Sequence, residues 1–326
     1  MGVNMENSVI ELHKTTEENT PELKVIQDIQ TIKEEYFTQW LDYAKFRTNN
    51  NNSVKCYERE IKVFKDFIID NQITQPTKQD LLRYRESLDS RNLKPTTLQN
   101  YILVVKMFFK YLEQEHLYKD IARDLRGAKI SRDFKKDYLH LNQIHTLLES
   151  IDRNTIKGKR DYAIILLAIT TGLRTIEIAR AKIEDLQGGI LWIQGKGRTE
   201  KNEYVKVSYQ VESAINDYLK TRKYTKQDYL FTSASNHNKN NMMNQKSISR
   251  IGKTLFRAVG IDSKRCSFHS LRHTSATLNL LNGGTIQETQ QLLRHKNINT
   301  TMIYAHNLER ENNQSEQRIT DYIFSN

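Results

Sequence analysis

Apolar residues recur at helical spacing along most of the chain. In KEEYFTQWLDYAKF, Tyr36, Trp40 and Tyr43 fall on one face, and in VKCYEREIKVFKDFIID the apolar positions are 54, 57, 61, 64, 67 and 68. The Asn run 49–52 separates these two segments, with Ser53 as the expected cap of the second. PTKQDLLRYRESL opens on Pro76–Thr77 and KPTTLQNYILVVKMFFKYLEQEHL on Pro95–Thr96, both N-terminal signals, so residues 31–117 predict a unit of four helices. A larger unit is expected over 138–308. There HLNQIHTLLESI and IKGKRDYAIILLAITTG read as helices. GGILWIQGKGRTEKNEYVKVSY reads as a β-hairpin, with an apolar run, a Gly/Lys turn and the alternation Tyr204–Val205–Lys206–Val207. Helices resume at QVESAINDYLKTR, SISRIGKTLFRAVG, SLRHTSATLNLLNG, TIQETQQLLRH and NTTMIYAHN, while the Asn-containing stretch 233–246 predicts a loop. The expected fold is therefore mainly α with a small β-hairpin or sheet: a helical domain followed by an α+β domain.

The flanks and the connector have a different character. Residues 1–30 are expected to form a partly disordered arm, in which LKVIQDIQTI is able to become a short helix against another subunit. Residues 118–137 carry Arg123, Arg126, Lys129, Arg132, Lys135 and Lys136 in a weakly apolar stretch, which predicts a basic linker near a polyanion or a solvated connector. In the tail 309–326, Ile319, Tyr322 and Ile323 share helical spacing and could dock on a neighbouring subunit or on their own domain.

Composition narrows the class of partner. The 326 residues carry a net charge of +11 at a sequence pI of about 9.4, an excess that favours a polyanion, because binding phosphates releases counterions. The two cysteines, Cys56 and Cys266, stand outside any CxxC or Cys/His cluster, which predicts neither a disulfide framework nor a zinc site and suits a reducing, intracellular compartment. The longest apolar run, YAIILLAI at 162–169, falls short of the about 20 residues that span a bilayer, and the polar N-terminus is unlike a signal peptide.

Candidate chemistry lies in four stretches of the second unit. In TTGLRTIEIARAKIEDL, Gly172 ends an apolar helix and Arg174 follows at the break, where its planar guanidinium suits the two non-bridging oxygens of a phosphate; Glu177 could pair with it or lie on the surface. The turn Gly195–Lys196–Gly197–Arg198 lets a hairpin tip approach another backbone, and Lys196 there could act as a general acid, with Lys201 a rival. In HSLRH, His269 and Arg272 stand at i and i+3 and share a helix face, while His273 lies one position round and is expected to pack or cap. His295 follows the helix TIQETQQLL. Tyr304 lies in NTTMIYAH, where Ile298, Met302 and Ala305 predict the apolar face and Tyr304 points away from its centre. A tyrosine hydroxyl, with a pKa near 10, needs a base or strong charge stabilisation to attack a phosphate at neutral pH, which the Arg and His side chains could supply. No acidic cluster resembles a two-metal nuclease site, so no metal or other cofactor is expected.

The order Arg, Lys, HxxR, His, Tyr resembles that of the tyrosine recombinase (phage integrase) family, in particular its Xer-like and mobile-element integrase members. TTGLRTIEIARAKIEDL resembles the first arginine motif, GKGRTEK the β-hairpin lysine, FHSLRHTSAT the HxxR box and LLRHKNINTTMIYAH the His-to-Tyr box. Residues 31–117 resemble the family's core-binding domain more loosely. The resemblance implies two domains clamped around duplex DNA at specific recombination sites. Tyr304 would form a 3′-phosphotyrosyl bond and Lys196 would protonate the leaving 5′ oxygen. Arg174 and Arg272 would hold the non-bridging oxygens, with His269 and His295 assisting by hydrogen bonding and proton transfer. It further implies a homotetramer acting through a Holliday junction, with possible accessory proteins, in a cytoplasmic, nucleoid-associated setting. Two other readings stay open at this point: a type IB topoisomerase-like relaxing enzyme, and a catalytically silent DNA-binding regulator.

Overall fold

The computed structural model describes residues 31–48, 50–129, 137–195, 200–233, 241–263, 265–311 and 313–325. The expected arm 1–30, the basic positions Arg132, Lys135 and Lys136, the hairpin lysine Lys196 and residues 234–240 of the expected loop lie outside the described residues. The chain divides into two compact units, residues 1–130 and 131–326.

Among its described residues the first unit holds four helices: α1 (Glu34–Arg47), α2 (Asn51–Asp70), α3 (Lys78–Asp89) and α4 (Pro95–Gln114). Their starts follow from local chemistry. Thr77 caps α3 in a reciprocal box with Asp80, and Pro95 takes the first turn of α4, where its missing N–H costs nothing. The cap of α2 is Asn50, whose side chain accepts from the Asn52 N–H, rather than Ser53. An Asx residue presents its oxygen at the same geometry as Ser, and the helix therefore begins inside the Asn run instead of after it. The core is aromatic: Phe37 stacks on Phe108 at 4.6 Å, and Phe64 meets Tyr84 edge-on at 5.0 Å. Tyr118, Ile121, Ala122 and Leu125 also pack into this core, so it continues into the stretch read above as a connector. Their apolar side chains outweigh the scattered basic residues between them.

In the second unit come α5 (Leu141–Glu149), α6 (Ile156–Thr171) and α7 (Thr175–Arg180). Next are β1 (Leu186–Gln187), β2 (Ile190–Ile193) and β3 (Glu203–Lys206), followed by α8 (Tyr209–Leu219) and α9 (Gln245–Ala258). The unit ends with α10 (Phe268–Leu281), α11 (Ile286–Leu293), α12 (Asn299–Glu311) and α13 (Ser315–Phe324). The strands form one antiparallel sheet in the order β1-β2-β3, with Leu191 opposite Val205 and Trp192 opposite Tyr204. The short strand β1 is set by pairing to β2 rather than by its own periodicity. The core runs through α6, whose Ile164, Ile165 and Leu167 are fully buried, and α6 packs against α8 and α10. Helix α10 in turn packs against α9, α11 and α12, which makes it the element that joins the candidate residues.

Candidate active site

Two breaks in the helical ladder, and one helix between them, aim the candidate side chains. Helix α6 ends at Gly172, whose backbone is left-handed at φ 60°, and a Cβ there would stand 2.7 Å from a methyl of Leu293. That turn delivers Arg174 to the N-cap of α7. Helix α11 ends at Arg294, also left-handed at φ 54°, and the chain then presents His295. Between the two, α10 carries His269, Arg272 and His273.

Arg174, His269, Arg272, His295 and Tyr304 all line one cavity of about 560 Å³, together with His273 and Arg294. Five of the six side chains expected from the sequence thus come together, and the sixth, Lys196, lies outside the described residues, although Gly195 reaches the cavity rim. The rival Lys201 forms an ion pair with the buried Asp185 at 2.6 Å.

Arg272 is buried, and its two terminal nitrogens donate to the carbonyls of Gly172 and Leu293. Those bonds tie α10 to the ends of α6 and α11 and use two of the guanidinium's five N–H groups. Burial pushes Arg272 down to about 9, with the charges of Arg174 and Arg294 acting in the same direction, and it stays cationic at neutral pH. Glu177, fully buried, is the counter-ion. It accepts from the Arg174 N–H at 2.9 Å, from Arg174 Nη1 at 2.8 Å and from Arg294 Nη2 at 3.0 Å. Burial alone would raise its pKa. The charge of Arg294 and the hydrogen bonds and charge of Arg174 outweigh that and hold the carboxyl below its ordinary 4.5.

His295 pairs through Nδ1 with Thr301 Oγ1 at 2.9 Å. Burial pushes it down to about 4, helped by the charges of Arg272 and Arg174, so it is neutral at pH 7. Because its folded pKa lies below the ordinary 6.5, the unfolded chain binds its proton first. This contribution to stability is complete above about 6.5 and is lost as pH falls from about 6.5 toward 4. In a His295→Gln variant the fall in unfolding midpoint over that window is expected to be shallower than in the native chain, as read by thermal unfolding at matched pH values.

Tyr304 is buried against Ala276 and Leu293, and burial pushes its phenol up to about 12 against the pull of Arg272 and Arg174. The buried face of α12 is Thr301 and Tyr304, at i and i+3, not the face of Met302 and Ala305 expected from periodicity. Thr301 is held there by the hydrogen bond between its hydroxyl and His295, and Tyr304 by its contacts with Ala276 and Leu293, pairings that a count of apolar positions along one helix cannot detect. His273, expected to pack or cap, is buried, and its Nδ1 stands 2.7 Å from the Tyr304 hydroxyl. Arg294 also lay outside the expected set; its signal in the sequence was its place immediately before His295 at a helix end.

Residues 137–311 match the phage integrase family model, and residues 37–116 match the model of the phage integrase N-terminal SAM-like domain. The chain belongs to the phage integrase family, the tyrosine recombinases. It is 28% identical over 266 residues to the tyrosine recombinase XerD of Listeria monocytogenes serovar 1/2a, covering 78% of this chain and 88% of that protein. The fold is shared with XerH site-specific recombinase bound to palindromic difH substrate in a post-cleavage complex: TM-score 0.64, 20% identity, 85% of this chain and 94% of that one. It is also shared with a lambda integrase tetramer bound to a Holliday junction: TM-score 0.64, 15% identity, 84% and 80%.

Proposed function

We propose that this protein is a site-specific DNA recombinase that cuts and rejoins strands through a 3′-phosphotyrosyl link on Tyr304. The observation that carries the reading is the convergence of Tyr304 with Arg174, Arg272, His269 and His295 on one cavity. As Tyr304 Oη bonds to phosphorus, the bond to the 5′ oxygen breaks. That oxygen leaves with a proton, for which Lys196 is the donor. Arg174 and Arg272 hold the non-bridging oxygens as their charge rises, and fixed cations in a partly dehydrated cavity are well placed for that. Neutral His295 and exposed His269 add hydrogen bonds to the same phosphate. The 5′ hydroxyl of a partner strand then attacks the phosphotyrosine, so the energy of the broken bond is conserved and no ATP is consumed.

By kinship with Xer recombinases and lambda integrase, the partners are duplex DNA carrying recombination sites and three further copies of this chain at a Holliday junction. The exposed stripe of Ile319, Tyr322 and Ile323 on α13 is suited to cover by a neighbouring copy. Among the described residues, no helix is long and apolar enough to cross a membrane, and a cytoplasmic, nucleoid-associated setting accords with a DNA substrate. The kinship with recombinases weighs against a relaxing enzyme, and the assembled cavity weighs against a silent regulator. A mixing experiment tests the reading. Two distinguishable duplexes carrying the same site should yield recombinant joints and a transient covalent adduct, whereas relaxation of supercoiled DNA without strand exchange would overturn it.

A further inference from the structure

We propose that His273 is the general base of the cleavage step, its Nδ1 taking the proton of Tyr304 as the phenolic oxygen attacks phosphorus. The inference rests on Tyr304 being the nucleophile. Its first support is geometric. Nδ1 and Oη lie 2.7 Å apart, both residues are buried at 7% and 5% exposure, and the two rings are tilted at 44° with their centroids 5.5 Å apart. The contact is short enough for direct proton transfer.

The second support is chemical need. A phenol pushed up to about 12 by burial is protonated at neutral pH despite the nearby arginines, so attack requires an acceptor in reach of its proton. His295 engages Thr301 through Nδ1, while it is His273 whose ring nitrogen meets the nucleophile. The third support is placement. His273 directly follows Arg272 on α10, and α10 packs against α12, so one helix delivers both a phosphate-binding cation and the base.

The step balances. Neutral His273, with its proton on Nε2, accepts the Tyr304 proton at Nδ1. The Oη–P bond forms and the P–O5′ bond breaks, and the 5′ oxygen takes a proton from the acid. The imidazolium so formed sits beside a phosphate whose negative charge is growing. In resealing, it returns the proton to the departing phenolate.

The test is His273→Asn, whose side-chain oxygen can accept the Tyr304 hydrogen bond but cannot hold its proton. Single-turnover adduct formation on a nicked duplex should fall by about 10²–10⁴-fold while DNA affinity is unchanged. Replacing Tyr304 with a more acidic fluorotyrosine should shrink that deficit, because a weaker O–H bond needs less help. A native cleavage rate in His273→Asn, or a deficit indifferent to phenol acidity, would overturn the proposal. Should Asn unsettle α10, the fluorotyrosine series in the otherwise native chain decides. With a base, the acid limb of the pH–rate profile stays put; without one, it follows the phenol. The neighbouring groups are constant across the series: His269 and Arg272 on α10, Arg174 before α7, Arg294 and His295 after α11. Adduct formation by Tyr304→Phe would instead remove the nucleophile itself, a failure distinct from that of the base.

Discussion

Tyr304→Phe is expected to abolish covalent capture of a nicked duplex and to leave binding to that duplex intact. The phenyl ring keeps the contacts with Ala276, Leu293 and Leu280 that bury this position, so α12 stays seated. The hydrogen bond to His273 is lost, which costs on the order of 1 kcal/mol and is compatible with a folded unit. Duplex affinity comes mainly from phosphate contacts by basic side chains, and the net charge of +11 is unchanged. Only the oxygen that bonds to phosphorus is missing. The measurement is a denaturing gel of protein linked to the 3′ end of a labelled strand, alongside an electrophoretic binding titration. An adduct that persists in the variant would move the nucleophile to another side chain.

The second large effect is expected at Glu177, through stability first and catalysis second. In Glu177→Gln the side chain keeps its size, but Arg174 and Arg294 lose their shared counter-ion, which is itself fully buried. Breaking a buried pair from one side costs about 3–5 kcal/mol, because charge is left uncompensated in a poorly solvated place. The unfolding transition of the second unit should therefore move to lower temperature or denaturant while that of the first unit stays in place. Near room temperature, where the variant remains folded, cleavage should also fall by up to about 10²-fold, since Arg174 is no longer held in one rotamer and a small displacement of a positioning group is expensive. Glu177→Asp, with the charge retained and the reach shortened, should lie between the two. Native stability and rate in Glu177→Gln would show that Arg174 is oriented by other contacts.

How far the site could be read in advance differs from residue to residue. Arg174, His269, Arg272, His295 and Tyr304 were legible because each stands in a short motif, and the motifs keep their order along the chain. Glu177 was visible as a neighbour three positions from Arg174, although surface exposure was equally open to it. Its second partner, Arg294, is 117 positions away and could not be inferred from helical spacing. His273 was placed one position round from the HxxR face, which is correct for α10 taken alone. Its importance arises because α12 packs where that neighbouring face also meets Tyr304. The expected apolar face of α12 was wrong for the same reason: Thr301 is buried by its hydrogen bond with His295 and Tyr304 by Ala276 and Leu293, partners that lie on other segments of the chain.

The amino-acid sequence by itself determined the helical content, the hairpin, most helix starts and the order of the chemical groups. Those depend on interactions within a turn or two of chain: capping by Thr77, the φ of Pro95, and the alternation in Tyr204–Val207. Tertiary structure alone decided that Arg272 ties the ends of α6 and α11 together, that Glu177 joins two arginines, and that His273 meets the nucleophile. Those contacts are made across 21 to 117 positions of chain. They exist because close packing of α10 against its neighbours brings together groups far apart in the chain, and buried polar groups there pair with whatever partners that packing supplies.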